Sequence, residues 1–251
     1  MVSFNIALAG KVIGVKVAYP ETRDFCSKYL TDLKEDFSVS VSADDIEKES
    51  LHSDAERKLE GLPPHKYPQQ YLETLALYRK IAEGLCAYGT LLFHGSALAL
   101  DGEVYIFTAR SGTGKSTHTR LWREAFGDRC VMVNDDKPLI AIKDGSATVY
   151  GTPWNGKHRL GENMSAPLKA LCILERAEEN IIRRESKRSV FAEILTQTYR
   201  SDDPASLQKI LGTVDEMLEC VPIYRLGCNM DIEAAYVAYN GMRGQENEAE
   251  K

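Results

Sequence analysis

The sequence predicts an α/β fold built on a mixed sheet, preceded by a small α+β lobe. Three observations point there. Segments with alternating apolar residues intersperse with segments of helical period. Asp101-Gly102 and Asp144-Gly145 each separate two β-rich runs. A type I′ turn needs φ > 0 at both central positions, so each pair marks a hairpin. Hairpins bring antiparallel pairs into the sheet, whereas a doubly wound fold reaches each next parallel strand through a helix.

In chain order, VSFNIALAGKVIGVKV reads as two short strands around Gly10 and Lys11. ETRDFCSKYLTDL follows Pro20 with helical spacing, apolar at Phe25, Tyr29, Leu30 and Leu33. DFSVSVS alternates as a strand, and DDIEKESLHSDAERKLEGL reads as a polar helix ended by Gly61 and Pro63-Pro64. PQQYLETLALYRKIAEGLCAYG carries the clearest helical stripe: Tyr71, Leu75, Tyr78, Ala82 and Leu85, with Glu73, Arg79, Lys80 and Glu83 off it. The first Asp-Gly hairpin comes next, leading into ARSGTGKSTHTRLW, a glycine-rich turn followed by a helix. CVMVNDD then reads as a strand ending in two carboxylates, followed by the second hairpin and the apolar strand PLKALCILERA. RSVFAEILTQTYR and PASLQKILGTVDEMLECV read as helices, VPIYRLGC as a strand, and DIEAAYVAYNGM as a last helix. The expected division is a lobe over residues 1–66, a catalytic domain over 67–243, and a polar disordered tail over 244–251.

Composition narrows the function classes. The chain of 251 residues carries a net charge of −6, so it has no basic surplus to neutralise nucleic-acid phosphates. The longest apolar run, LCAYGTLLFHGSALAL, is too short to cross a bilayer, and no basic leader precedes the apolar N-terminus. The six cysteines form no CxxC pair, which suits free thiols in a reducing cytoplasm. A homo-oligomer is compatible with the sequence.

The turn carries the chemistry. Walker A is G-x-x-x-x-G-K-[ST], and here Gly114, Lys115 and Ser116 fill its end while Ala109 stands at the first glycine. Backbone N–H groups that converge on phosphate need unusual dihedrals and close approach, which Gly112 and Gly114 permit. The expected nucleotide-binding set is Ser111, Gly112, Thr113, Gly114, Lys115, Ser116 and Thr117, at the positive end of a helix dipole. Lys115 would reach the outer phosphates of ATP, or of another nucleoside triphosphate, and the Ser116 hydroxyl would ligate Mg²⁺. Asp135 and Asp136 resemble a Walker B strand end, where one carboxylate serves the metal and the other takes a proton. A solvated acidic turn fits the same residues. His94 suits a core position as well as a site. The loop YGTPWNGKHRLGEN, with Lys157, His158, Arg159 and Glu162, could set a cation on a transferring phosphoryl group or be an ordinary charged loop.

The order HG, hairpin, SGTGKS, apolar strand, DD over residues 91–174 resembles the catalytic domain of the HPr kinase/phosphorylase family. That family is related in fold to the phosphoenolpyruvate carboxykinases. The resemblance implies a P-loop kinase domain of that type. It also implies Lys115 and Ser116 on phosphate and Mg²⁺, Asp135 as general base, Asp136 as metal ligand and His94 beside the transferred phosphate. Glu162 would be a further acid on the metal side, and Lys115 with Arg159 or Lys157 would balance developing charge. GTPWNGKHRLGEN replaces the family's glycine-rich signature, and residues 1–66 do not look like its N-terminal domain. The expected activity is therefore γ-phosphoryl transfer to a hydroxyl, of serine type, on a protein, peptide or small molecule. A nucleotide-binding sensor or scaffold, and a partner-coupled NTPase, are the alternatives.

Overall fold

The computed structural model describes residues 1–59, 61–110 and 112–244, with residues 56 and 59 described by backbone alone. The expected tail therefore falls outside the described residues, apart from Gly244. The chain divides into two compact units, Met1–Ala87 and Tyr88–Lys251.

In the first unit, β1 (Val2–Leu8) and β2 (Lys11–Val17) form a hairpin. Its turn residues Ala9 and Gly10 have φ of 50° and 71°, so an alanine takes a left-handed position that Asp fills in the other hairpins. β3 (Leu30–Thr31) pairs antiparallel with β1, and β4 (Phe37–Ser40) pairs parallel with β2. The helix expected after Pro20 is cut short. α1 (Pro20–Phe25) gives way to a 3-10 turn and then to β3, because Leu30 and Thr31 pair with Ile6 and Asn5. Two longer helices complete the unit, α2 (Ala43–Leu59) and α3 (Gln69–Leu85).

The buried face of α3 is rotated from the expected stripe. Leu72, Leu77, Tyr78, Ile81 and Leu85 are buried, while Tyr71 is 46% exposed. Glu73, expected on the solvent side, is fully buried. Its carboxylate accepts from the backbone N–H groups of Ala18 (2.7 Å) and Tyr19 (3.2 Å) and from the Thr22 hydroxyl. These donors surround the start of α1 and tie α3 to the first unit. The boundary accordingly lies at Ala87 and not at residue 66.

The second unit is built on a nine-stranded mixed sheet. Its strands are β5 (Thr90–Leu92), β6 (Ser96–Leu100), β7 (Glu103–Thr108), β8 (Cys130–Asn134), β9 (Leu139–Lys143), β10 (Ser146–Tyr150), β11 (Ser165–Arg176), β12 (Ile181–Arg184) and β13 (Ile223–Cys228). They lie in the order β5-β9-β10-β11-β7-β6-β8, with β13 beside the second half of β11 and β12 beside β13. Both Asp-Gly hairpins form, with φ of 55° and 84° at Asp101 and Gly102 and of 50° and 71° at Asp144 and Gly145. β12 was not legible in advance: it is a largely exposed strand of four residues, two isoleucines followed by two arginines.

Among the described residues, four α-helices belong to this unit: α4 (Lys115–Phe126), α5 (Lys187–Thr196), α6 (Pro204–Cys220) and α7 (Glu233–Met242). Trp122 of α4 is fully buried and packs on the rings of Tyr105, Phe107, Phe126 and Tyr239, with centroids 5.0–5.9 Å away. Val104 and Ile106 point to the other face of β7 and are buried as well, so the sheet is covered on both sides. Among the described residues no helix is long and apolar enough to cross a membrane, and the six cysteines are free thiols.

Topology fixes where chemistry can sit. β7 and β8 each run antiparallel to β6, so they share a direction, and β11 and β13 run parallel to β7. The carboxyl ends of all four strands therefore meet the start of β6 along one side of the sheet, the usual place for a ligand in an α/β protein.

Candidate active site

The glycine-rich loop leaves the end of β7. Ala109 is only 4% exposed and belongs to the apolar cluster around Trp122, so its methyl group packs inward. Gly112 and Gly114 have φ of 77° and 123°, and a Cβ at either would meet nothing within 4 Å. Conformation, and not crowding, calls for glycine there. No side chain caps the N-terminus of α4. That leaves its first N–H groups and the positive end of its dipole to the loop. Ser116 is exposed and Thr117 partly so. Ser111, also expected in this set, lies outside the described residues.

The end of β8 brings in the carboxylates. Asn134 is fully buried, and its Oδ1 accepts from the N–H groups of Asp136 (2.8 Å) and Lys137 (2.7 Å). That Asx turn bends the chain directly after the strand. The Asn134 amide nitrogen donates to the Thr152 hydroxyl oxygen at 2.9 Å, anchoring the bend to the loop after β10. Asp135 is 8% exposed and accepts from the Ser96 hydroxyl at 3.0 Å.

His94 joins the two parts. Its Nε2 lies 3.3 Å from Lys115 Nζ and 3.5 Å from Asp136 Oδ1. Its side chain is 42% exposed, which removes the reading as a core histidine. Gln197 holds it twice: the His94 N–H donates to the Gln197 carbonyl (2.7 Å), and Nδ1 faces Gln197 Oε1 at 3.1 Å. The Thr108 hydroxyl donates to the His94 carbonyl at 2.9 Å. Gly95 follows in close quarters: a Cβ there would lie 3.0 Å from side-chain atoms of Phe93 and Ile106 and 3.1 Å from the Phe107 carbonyl.

Electrostatics separate the two aspartates. Burial pushes the Asp135 carboxyl above the usual range, against the Ser96 hydrogen bond and the charges of Lys115 and His158. Burial is also the largest influence on Asp136, but the His94 hydrogen bond and the charges of Lys137, His94 and Lys115 outweigh it and hold that carboxyl low. Burial lowers Lys115, with both aspartates resisting. Asp135 is thereby the stronger base, and Asp136 stays ionised.

The remaining expected residues divide. The loop after β10 approaches the site, since a Cβ on Gly156 would lie 3.1 Å from that of Asp136. His158 of this loop is among the charges that draw the Asp135 carboxyl down. Arg159 is exposed, takes a left-handed backbone (φ 51°) and makes no ion pair among the described residues. Glu162 is exposed, its N–H donates to Val133, and it lines a surface cleft with Arg123 and Met132. His118, just behind the loop, is a core residue. It accepts from the Trp122 indole (3.1 Å), and burial drives its pKa to about 3.

Among the described residues no three His, Cys, Asp or Glu side chains form a cage for a metal. Ser116 and Asp136 are hard oxygen donors of the kind that hold Mg²⁺ when phosphate and water supply the rest of its shell. The donor set thus fits a cation carried in with a nucleotide.

Sequence reasoning missed Arg176, at the end of β11. Its guanidinium donates from Nε to the Thr113 carbonyl (3.2 Å) and from Nη2 to the Gly112 carbonyl. Gln197 was likewise unmarked.

No family model and no curated protein sequence matches the chain. Among solved structures, the HPr(Ser) kinase/phosphatase from Coxiella burnetii is similar over 62% of this chain and 99% of its own, at 13% identity and a TM-score of 0.36. A likeness that distant carries no argument about activity.

Proposed function

We propose that this chain is a phosphotransferase that uses ATP, or another nucleoside triphosphate, with Mg²⁺ and acts on a hydroxyl acceptor. One observation carries the reading: the sheet topology gathers Lys115, His94, Asp135 and Asp136 beside the glycine-rich loop, with the two neighbouring carboxyls pushed in opposite directions.

Backbone N–H groups of the loop and of the first turn of α4 receive phosphate oxygens, and Lys115 neutralises the outer ones. Ser116 and Asp136 would hold Mg²⁺, which when bound offsets charge on the phosphates. Asp135, buried and more basic than an ordinary aspartate, takes the proton of the acceptor hydroxyl as that oxygen attacks. Ser96 fixes the carboxylate's orientation. His94, steadied by Gln197, lies between Lys115 and Asp136 and orients both. The loop carrying Lys157, His158 and Arg159 borders the acceptor side. The acceptor is a serine-type hydroxyl on a protein, peptide or small molecule. A cytoplasmic location goes with the six free thiols.

The test is incubation with γ-labelled ATP, cell extract and a panel of small hydroxyl metabolites. Label should move to an acceptor with wild-type protein and stay on ATP with Asp135→Asn. Label recovered only as inorganic phosphate makes water the acceptor and overturns the transfer reading.

A further inference from the structure

We propose that Arg176 is a positioning residue for the nucleotide: it holds the glycine-rich loop in its anion-receiving shape from the far end of β11. This rests on the nucleotide-site reading above and adds a residue that no motif marks. Parallel pairing of β11 with β7 sets Ile173 beside Thr108, so the chain three residues further on reaches the level of the loop. There one guanidinium bonds two consecutive carbonyls, of Gly112 and Thr113.

In a trans peptide unit the C=O and N–H point in opposite directions. Fixing the Gly112 carbonyl orients the Thr113 N–H, which closes a turn on the Arg110 carbonyl at 3.1 Å. Fixing the Thr113 carbonyl turns the Gly114 N–H away from Arg176. Gly112 and Gly114, with positive φ and open space around them, have the most freedom to lose in this loop. A lysine ammonium is a point charge with no fixed fork, whereas the planar guanidinium of arginine sets two carbonyls in one geometry.

The neighbouring charges serve the fold. Glu175 pairs with Arg225 at 2.7 Å, and Arg225 also bonds Glu185 and Glu193. Arg176 is exposed and makes no ion pair among the described residues, so its cation is left to the loop and to an anion there.

Nucleotide affinity, steady-state constants and melting temperature are measured for wild type, Arg176→Ala and Arg176→Lys. With two charge-assisted hydrogen bonds lost from an exposed position, Arg176→Ala should weaken ATP binding about tenfold. KM should rise in step, with kcat at saturating ATP within about twofold. Its melting temperature should stay within about 2 °C of wild type. Arg176→Lys should fall between the two, and millimolar guanidinium should restore part of the affinity of the alanine variant. Equal affinity in wild type and Arg176→Ala overturns the proposal. So does a fall in melting temperature and kcat with KM unchanged, which marks a structural contact only. Wild-type protein that binds no nucleotide overturns the site reading itself, and the role of Arg176 with it.

Discussion

Each unit of the chain buries a carboxylate, one in the second turn of α3 and one directly after β8, and the two are treated differently. Glu73 in the first unit is fully enclosed and receives three donors, two backbone N–H groups and a hydroxyl. Asp135 in the second is nearly as buried but receives one hydroxyl. A buried anion held by three donors is a fastening. One that is partly desolvated and thinly bonded is left basic, with room for another donor. The difference teaches that burial alone does not mark a functional acid; unused acceptor capacity does.

Four substitutions test that contrast. Asp135→Asn keeps the shape but removes the base. It should lower kcat by roughly 10²–10⁴-fold while nucleotide affinity holds. Affinity lost with kcat retained would reverse the roles of the two aspartates. Lys115→Ala should cost roughly 10²–10³-fold in kcat/KM, because the outer phosphates lose their cation. Unchanged turnover there removes the loop from the site. Glu73→Gln should act on stability only, by about 1–3 kcal/mol, since an amide cannot serve three donors as a carboxylate does. Denaturant titration reads the loss, and activity per folded molecule should match wild type; a large fall in kcat breaks the comparison.

The smallest effect is a pH dependence. Glu185 is held below the ordinary glutamate range, first by its hydrogen bond to Arg225. A depressed folded-state pKa contributes stability above the unfolded value and loses it as pH falls through the folded one. The melting temperature of wild type should therefore drop more steeply in acid than that of Glu185→Gln. Parallel curves would place Glu185 outside the paired class.

Much of this site can be read from sequence because its parts are local. Asp-Gly turns, a glycine-rich strand-to-helix turn and an acidic strand end each have a signature a few residues long. What escaped is set by pairing across the sheet. Arg176 reaches the loop because β11 lies parallel to β7, and Gln197 reaches His94 because residues beyond α5 run back along Leu92 and Phe93. Glu73 was misread for a related reason. A helical stripe of apolar residues gives the period of α3 but not the angle at which it rolls, and the donors at the start of α1 settled that angle. The loop after β10 reaches the site at Gly156, whose added Cβ would lie 3.1 Å from that of Asp136, an approach with no signature in a run of charged and turn-forming residues.

β11 is shared between two kinds of pairing. Residues 165–167 continue the antiparallel half of the sheet through β10, and the remainder pairs in parallel with β7 and β13. Until that strand is made, β7 has a partner on one side only, the hairpin strand β6. During synthesis the loop-bearing strand therefore waits, edge open, for a segment some sixty residues downstream. Contacts of that range form slowly, and an unpaired apolar strand is a template for other chains. A chain cut before residue 165 would keep every motif that suggests the activity, yet leave the strand that carries the loop unpaired along one edge.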